Sequence, residues 1–254
     1  MMKRLLEWVL PIGVCCIACG EARRMDGEHV LCERCREKLA QAQVPASACD
    51  RCLSYVPEGG RCAFCRDGGM EYLHKSHAPF MYVHVARRLI KRLKFDDVNE
   101  ALDPLADAMA EALTDRDFDM IAPVPLHFLR QRRRGCNQAM LLAKGVSVRT
   151  GIPVCDVLKR LRATKPQSTL AGFRRRKQNV ENAFAIMENV SVEGKKILLL
   201  DDVRTSGSTA RACAKALLQG GAGQVSLLTA CVVYQYRGKK HGSVAGKNGA
   251  AAGQ

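Results

Sequence analysis

The chain has 254 residues, 47% hydrophobic and 26% charged, with 13 cysteines and a net charge of +15 from 40 Lys and Arg against 25 Asp and Glu. That length buries most of what the unfolded chain exposes without crosslinks, leaves room for one medium domain plus a satellite, and excludes collagen-like, coiled-coil and wholly disordered classes. No stretch approaches the ~20 apolar residues that span a bilayer, so no membrane insertion is expected.

The N-terminus sets Lys3 and Arg4 before Leu5, Leu6, Trp8, Val9 and Leu10. Glu7 interrupts this apolar run, Pro11 ends it, and no small-residue cleavage site follows, so it reads as a short amphipathic helix rather than an export signal. A reducing, cytoplasmic setting is therefore expected, which disfavours disulfides. Nine cysteines fall in the first 65 residues, and all but Cys15 form pairs with two residues between: Cys16/Cys19, Cys32/Cys35, Cys49/Cys52 and Cys62/Cys65. A two-residue gap lets both sulfurs enter one tetrahedral site, and two such arms close a structural zinc centre. Eight ligands suggest two Zn²⁺ ions, and the spacing leaves both a sequential and an interleaved partition open. Residues 1–70 carry a charge of only +1, leaving +14 beyond them.

A connector at Arg66–Met70 closes this module, giving a metal-binding unit over 1–70, a larger domain over 71–237 and an aperiodic, disordered tail over 238–254. Residues 81–94 read as a basic amphipathic helix with Val85, Leu89 and Leu93 on one stripe, and 98–113 as a second helix. Asp119–Pro125 reads as a short strand ended by prolines, followed by a helix to about Thr150. Basic runs follow at Arg130, Arg132, Arg133 and Arg134 and at Arg174, Arg175, Arg176 and Lys177, and together they favour a polyanionic ligand. Ile197–Val203 and Val225–Tyr234, separated by a helix at Thr209–Gln219, read as buried parallel strands of an α/β sheet. Cys136, Cys155, Cys213 and Cys231 read as small core residues. His84 and His127 have no partner in the pattern and read as structural.

The stretch KILLLDDVRTSGSTAR (Lys196–Arg211) carries the most chemistry. A buried strand ends in Asp201 and Asp202, and a turn of Thr205, Ser206, Gly207, Ser208 and Thr209 opens a helix. At the C-terminal edge of an α/β sheet such a turn aims backbone amides and hydroxyls at a phosphate, aided by the helix dipole. Carboxylates beside it would repel that phosphate unless they hold hydroxyls or a metal, so a phosphorylated sugar with vicinal hydroxyls suits the pair.

This signature resembles that of the type I phosphoribosyltransferases. The resemblance implies that fold, a parallel sheet flanked by helices, here preceded by a small Cys-rich zinc-ribbon module. It implies that Asp201 and Asp202 act at the catalytic centre on the ribose hydroxyls of phosphoribosyl pyrophosphate, and that Thr205–Thr209 hold its 5-phosphate. Arg204 stands where that family usually has an aliphatic residue, and Thr205 stands where purine salvage members carry an Asp base, which disfavours purine salvage. Two further stretches, Ala122–Ala143 with its Arg134, Gly135, Cys136, Asn137 and Gln138, and Arg162–Phe184 with Thr164, Gln167, Arg176 and Asn179, are similar to the ComF family of competence proteins. The resemblance covers about residues 8–237. It implies that Pro123–Leu126, with Val124 and Pro125, form a pyrophosphate loop, and that Arg160, Arg162 and Lys165 border a mobile loop. It further implies Mg²⁺ bound with phosphoribosyl pyrophosphate, transfer to an acceptor that is not identified, and a role in DNA uptake with single-stranded DNA or uptake proteins as partners. A non-catalytic, ligand-gated scaffold or DNA-binding adaptor is the alternative.

Overall fold

The computed structural model describes residues 15–21, 30–95, 101–126, 136–161 and 183–233. Its sheet is built on the apolar runs. Strand β6 (Lys196–Arg204) pairs with β3 (Met120–Pro123) on one side and β7 (Gln224–Val232) on the other, with β1 (Ser76–His77) and β2 (Phe80–Met81) on the far edge of β7. Every one of these pairings is parallel. The helices are α1 (Glu33–Ala40), α2 (Ala63–Arg66), α3 (His84–Phe95), α4 (Leu102–Ala112), α5 (Gln138–Thr150) and α6 (Ser208–Gln219).

Parallel strands covered on both faces are apolar on both, because successive side chains alternate between two cores. Leu198, Leu200 and Leu228 join Leu89 and Ile90 of α3, Leu105 of α4 and Leu142 of α5 on one side. Ile197, Leu199 and Leu227 join Cys213 and Leu217 of α6, together with Leu158 and Phe184, on the other. Leu158 and Phe184 belong to an antiparallel pair, β4 (Leu158–Arg160) and β5 (Phe184–Ile186). The two cysteine groups divide between these cores: Cys16, Cys32 and Cys35 pack in the first, and Cys49, Cys52, Cys62 and Cys65 in the second. The chain between them runs along the sheet edge, where the Met81 amide donates to the Ala42 carbonyl at 2.7 Å and the Val44 amide to the Pro79 carbonyl at 3.0 Å.

Several boundaries differ from the sequence reading. Residues 80–81 pair with β7, so the helix expected from 81 begins at His84, which is exposed. The strand expected over Asp119–Pro125 is Met120–Pro123, beyond which the Val124 amide still reaches the Leu200 carbonyl at 2.8 Å. The expected connector Arg66–Met70 ends in a fully buried Met70, part of the second core. Cys213 and Cys231 are core residues, whereas Cys136 and Cys155 are half-buried. The N-terminal helix, both basic runs, His127 and the tail fall outside the described residues. Among the described residues no helix is long and apolar enough to cross a membrane.

His77 in β1 is buried, and desolvation, with the Lys75 charge adding to it, pulls its pKa from 6.5 down to about 4, against a hydrogen bond to Ala112. A base whose folded pKa is depressed leaves the unfolded chain holding more protons between the two values. The stability it contributes is therefore complete above pH 6.5 and lost as the pH falls toward 4, an effect on the order of 3 kcal/mol. Urea denaturation of the wild type and His77→Phe at pH 7 and pH 4.5 should show a smaller pH dependence in the variant; equal slopes would exclude His77 as its source.

Candidate functional site

Adjacent parallel strands bring two loops together at their C-terminal ends. β3 and β6 run in register through Pro123 and Leu200, so Val124 and Pro125 emerge directly beside Asp201. Asp201 pairs in turn with Thr229 of β7. Between the ends of β6 and β7 and the start of α6 lies a small, open pocket whose lining includes Asp201, Thr205, Gly207, Ser208, Thr209 and Thr229.

The turn is shaped by its own short side chains. The Ser206 and Ser208 hydroxyls are 2.8 Å apart, and the Ser208 amide donates to Ser206 Oγ at 3.4 Å. Gly207 caps α6 with a φ of +80°, a left-handed conformation that a Cβ disfavours. The first turn of α6 carries no acid, and a helix N-terminus offers amides that its own carbonyls do not receive, so an anion is favoured there. The Asp202 amide donates to Asp201 Oδ1 at 2.9 Å, fixing that carboxylate, and both acids are half-buried.

Of the other expected site residues, Val124 is buried and Pro125 half-buried at the β3 edge. Arg160 ends β4, stacks over Phe184 at 5.3 Å and acts electrostatically on Cys213 in α6, as does Asp201. Burial first, and Asp201 second, hold the Cys213 thiol well above its ordinary pKa, so it remains a protonated core group rather than a nucleophile. Arg162 and Lys165 lie outside the described residues. One residue acquires a role that its place in a motif did not define. Asn137 caps α5, accepting from the Ala139 amide at 3.1 Å, and its Nδ2 donates to the Val124 carbonyl at 3.2 Å, so it ties the loop after β3 to the helix that follows. An Asn immediately before an apolar helix is a capping signal that the sequence does carry.

The cysteines settle into the sequential partition. Cys16, Cys19, Cys32 and Cys35 form one group and Cys49, Cys52, Cys62 and Cys65 the other, the sulfurs of each within 4.8 Å of one another. Cys19 and Cys32 sulfurs are 3.9 Å apart and Cys52 and Cys62 sulfurs 3.5 Å, against about 3.8 Å for the edge of a tetrahedron with 2.3 Å zinc–sulfur bonds. The Cys32 amide points at Cys16 Sγ and the Cys62 amide at Cys49 Sγ, both at 3.4 Å, donors that suit thiolates. Each group can hold one structural zinc ion. Cys15 stands apart and exposed.

A parallel α/β sheet with an acid pair and a hydroxyl-rich turn at its C-terminal edge, carrying two four-cysteine groups, defines a phosphoribosyltransferase-fold protein with a double zinc-ribbon module. Its sequence is 31% identical over 227 residues to DNA utilization protein YhgH of Escherichia coli K12, covering 86% of this chain and 90% of that one. It is 28% identical over 218 residues to competence protein F of Haemophilus influenzae, covering 82% and 87%. The chain belongs to the ComF family, that of these competence and DNA utilization proteins. No family model matches it. Among solved structures it is similar to a glutamine phosphoribosylpyrophosphate amidotransferase from B. subtilis, at 21% identity and a TM-score of 0.38 over 55% of this chain and 30% of that one.

Proposed function

We propose that the pocket between β6, β7 and α6 binds phosphoribosyl pyrophosphate, and that the protein uses this ligand in handling incoming DNA, the process that its relatives' names point to. The observation that carries the reading is the juxtaposition of Asp201 with Thr205, Gly207, Ser208 and Thr209 around one pocket at the start of an acid-free helix, with Asp202 the next residue of the strand. The turn's hydroxyls and amides donate to the 5-phosphate. Asp201 and Asp202 accept from the 2- and 3-hydroxyls, which gives two negative groups a reason to stand beside a phosphate site. The pyrophosphate then extends toward Val124 and Pro125, where the neighbouring strand ends, and the family resemblance assigns Arg160, Arg162 and Lys165 to the loop that borders it.

Transfer breaks the bond between C1 of the ribose and the pyrophosphate oxygen while an acceptor attacks C1, so negative charge grows on the departing group. Mg²⁺ carried by the pyrophosphate supplies charge neutralisation when bound. The chain's own part is to orient the ribose and the leaving group and to hold cations near the latter. No covalent enzyme intermediate is needed, in keeping with a protonated Cys213.

The test is isotopic. Labelled phosphoribosyl pyrophosphate incubated with the protein and cell extract, with and without single-stranded DNA, should yield a labelled acceptor. Binding without transfer under any condition would turn the reading to the ligand-gated scaffold.

A further inference from the structure

We propose that the outer face of α3, through Arg87, Arg88 and Lys91, holds the phosphate backbone of a single DNA strand and leads it to the sheet edge where the candidate pocket opens. The choice of DNA as the polyanion rests on the DNA-handling reading above; the location of the surface does not.

The helix is divided cleanly between its two sides. Val85, Ala86, Leu89, Ile90 and Leu93 are buried in the first core, whereas Arg87, Arg88 and Lys91 are exposed. Its sequence, HVARRLIKRLKF, holds no acid. Cations elsewhere on the described surface are paired: Arg34 with Glu21, Arg61 with Asp50, Arg149 with Asp103 and Asp107, Lys196 with Asp117. Among the described residues no such ion pair takes Arg87, Arg88 or Lys91. Arginines at the start of a helix also oppose its dipole, which favours acids there. Local stability therefore gives no reason for this placement, and a polyanionic partner does.

Topology sets where the helix begins. Met81, the last residue of β2, lies opposite Val232 of β7, which lies opposite Arg204 at the end of β6. The Tyr82 amide donates to the Val232 carbonyl and the Val233 amide to the Arg204 carbonyl, both at 2.8 Å. The start of α3 thus reaches the same edge of the sheet as the Thr205–Thr209 turn, two strand spacings or roughly 10 Å away. A strand held along α3 has one end beside the pocket.

The form of the partner follows from what the helix leaves open. An interfacial membrane helix sinks an apolar face into lipid, but the apolar face of α3 is already in the core. A helix that reads duplex DNA enters the major groove, which a helix lying flat on a sheet does not do. The Arg87 guanidinium covers the half-buried Tyr82 ring at 5.9 Å, which favours phosphate contacts over base stacking. Binding here is electrostatic, steeply salt-dependent and indifferent to base sequence.

The experiment compares three full-length proteins by fluorescence anisotropy with a labelled oligothymidylate: wild type, the α3 variant Arg87→Gln/Arg88→Gln/Lys91→Gln, and a control, Lys75→Gln/Lys195→Gln/Lys196→Gln, that removes the same charge near the opposite edge of the sheet. Gln is a good helix former, so zinc content and melting temperature should stay at wild-type values in the α3 variant. Its affinity for the strand should fall by about 10-fold or more at low salt, and the slope of log affinity against log salt should become shallower by about 2, as expected for three lost contacts to a single strand. The control should stay within about 3-fold of wild type. Equal losses in the two variants would reduce the effect to net charge and overturn the proposal, as would an unchanged α3 variant. A wild type that prefers duplex DNA, or that binds phosphatidylglycerol vesicles and not the oligonucleotide, overturns it too. If the wild type binds the strand through α3 but takes up no phosphoribosyl pyrophosphate, the functional reading fails and this one stands.

Discussion

Changing Asp201 and Asp202 together to Asn is expected to abolish measurable phosphoribosyl pyrophosphate binding while leaving zinc content and melting temperature near those of the wild type. The substitution is nearly isosteric and keeps an oxygen at position 201 for the Asp202 amide, now held at 2.9 Å, so the strand end should retain its shape. What changes is charge. Hydrogen bonds from hydroxyls to a carboxylate each contribute about 1.5–3 kcal/mol, so two acids holding a vicinal diol account for roughly 3–6 kcal/mol. That corresponds to a loss of about 10²–10⁴-fold in affinity. The opposite outcome is equally readable. If the carboxylates do not contact the ribose, their effect on a phosphate bound at Ser206–Thr209 is repulsion, and the double variant would bind as well as the wild type or more tightly. Calorimetry on both proteins, with metal analysis as the folding control, separates the two cases by the sign of the change.

The elements that frame this site were legible because their signals are local. Leu198, Leu199 and Leu200 announce a strand buried on both faces, and the acids and hydroxyls after them mark its functional end. The cysteine pairs declare themselves by spacing alone. Other features depend on partners distant in sequence. β1 and β2 are two residues each and exist because β7 presents a free edge, so no pattern within Ser76–Met81 distinguishes them from a loop. β4 and β5 are three residues each, with 23 residues between Arg160 and Phe184, and only their pairing makes them strands. Spacing could not reveal that the two cysteine groups cover opposite faces of the sheet, since that follows from the path of residues 42–44 along its edge. Nor could it reveal that Met70, at the end of an apparent connector, is the floor beneath Gly207. Asn137 lies between these cases: its cap is readable, but its bond to Val124 needs the fold.

Removal of zinc should lower the melting temperature of the whole chain rather than melt an appendage. Metal analysis should first find two zinc ions per chain, one for each four-cysteine group. Each group belongs to a different core, so eight buried or half-buried ligands are spread over both faces of a single sheet. Structural zinc contributes about 10–16 kcal/mol in isolated finger peptides, comparable to or larger than the ~5–15 kcal/mol by which a typical domain is stable. Here apolar packing around the cysteines survives loss of the ion in part, so the expected cost is smaller. Even a loss of about 5 kcal/mol corresponds to a drop of roughly 10–20 °C for a chain of this size. Calorimetry with and without a chelator should therefore show one transition moving down as a unit. A sheet transition that stays in place while a smaller one disappears would mean that the cysteine groups fold as an independent module. It would also mean that the contacts of Ala42 with Met81 and of Met70 with Gly207 contribute little to holding them.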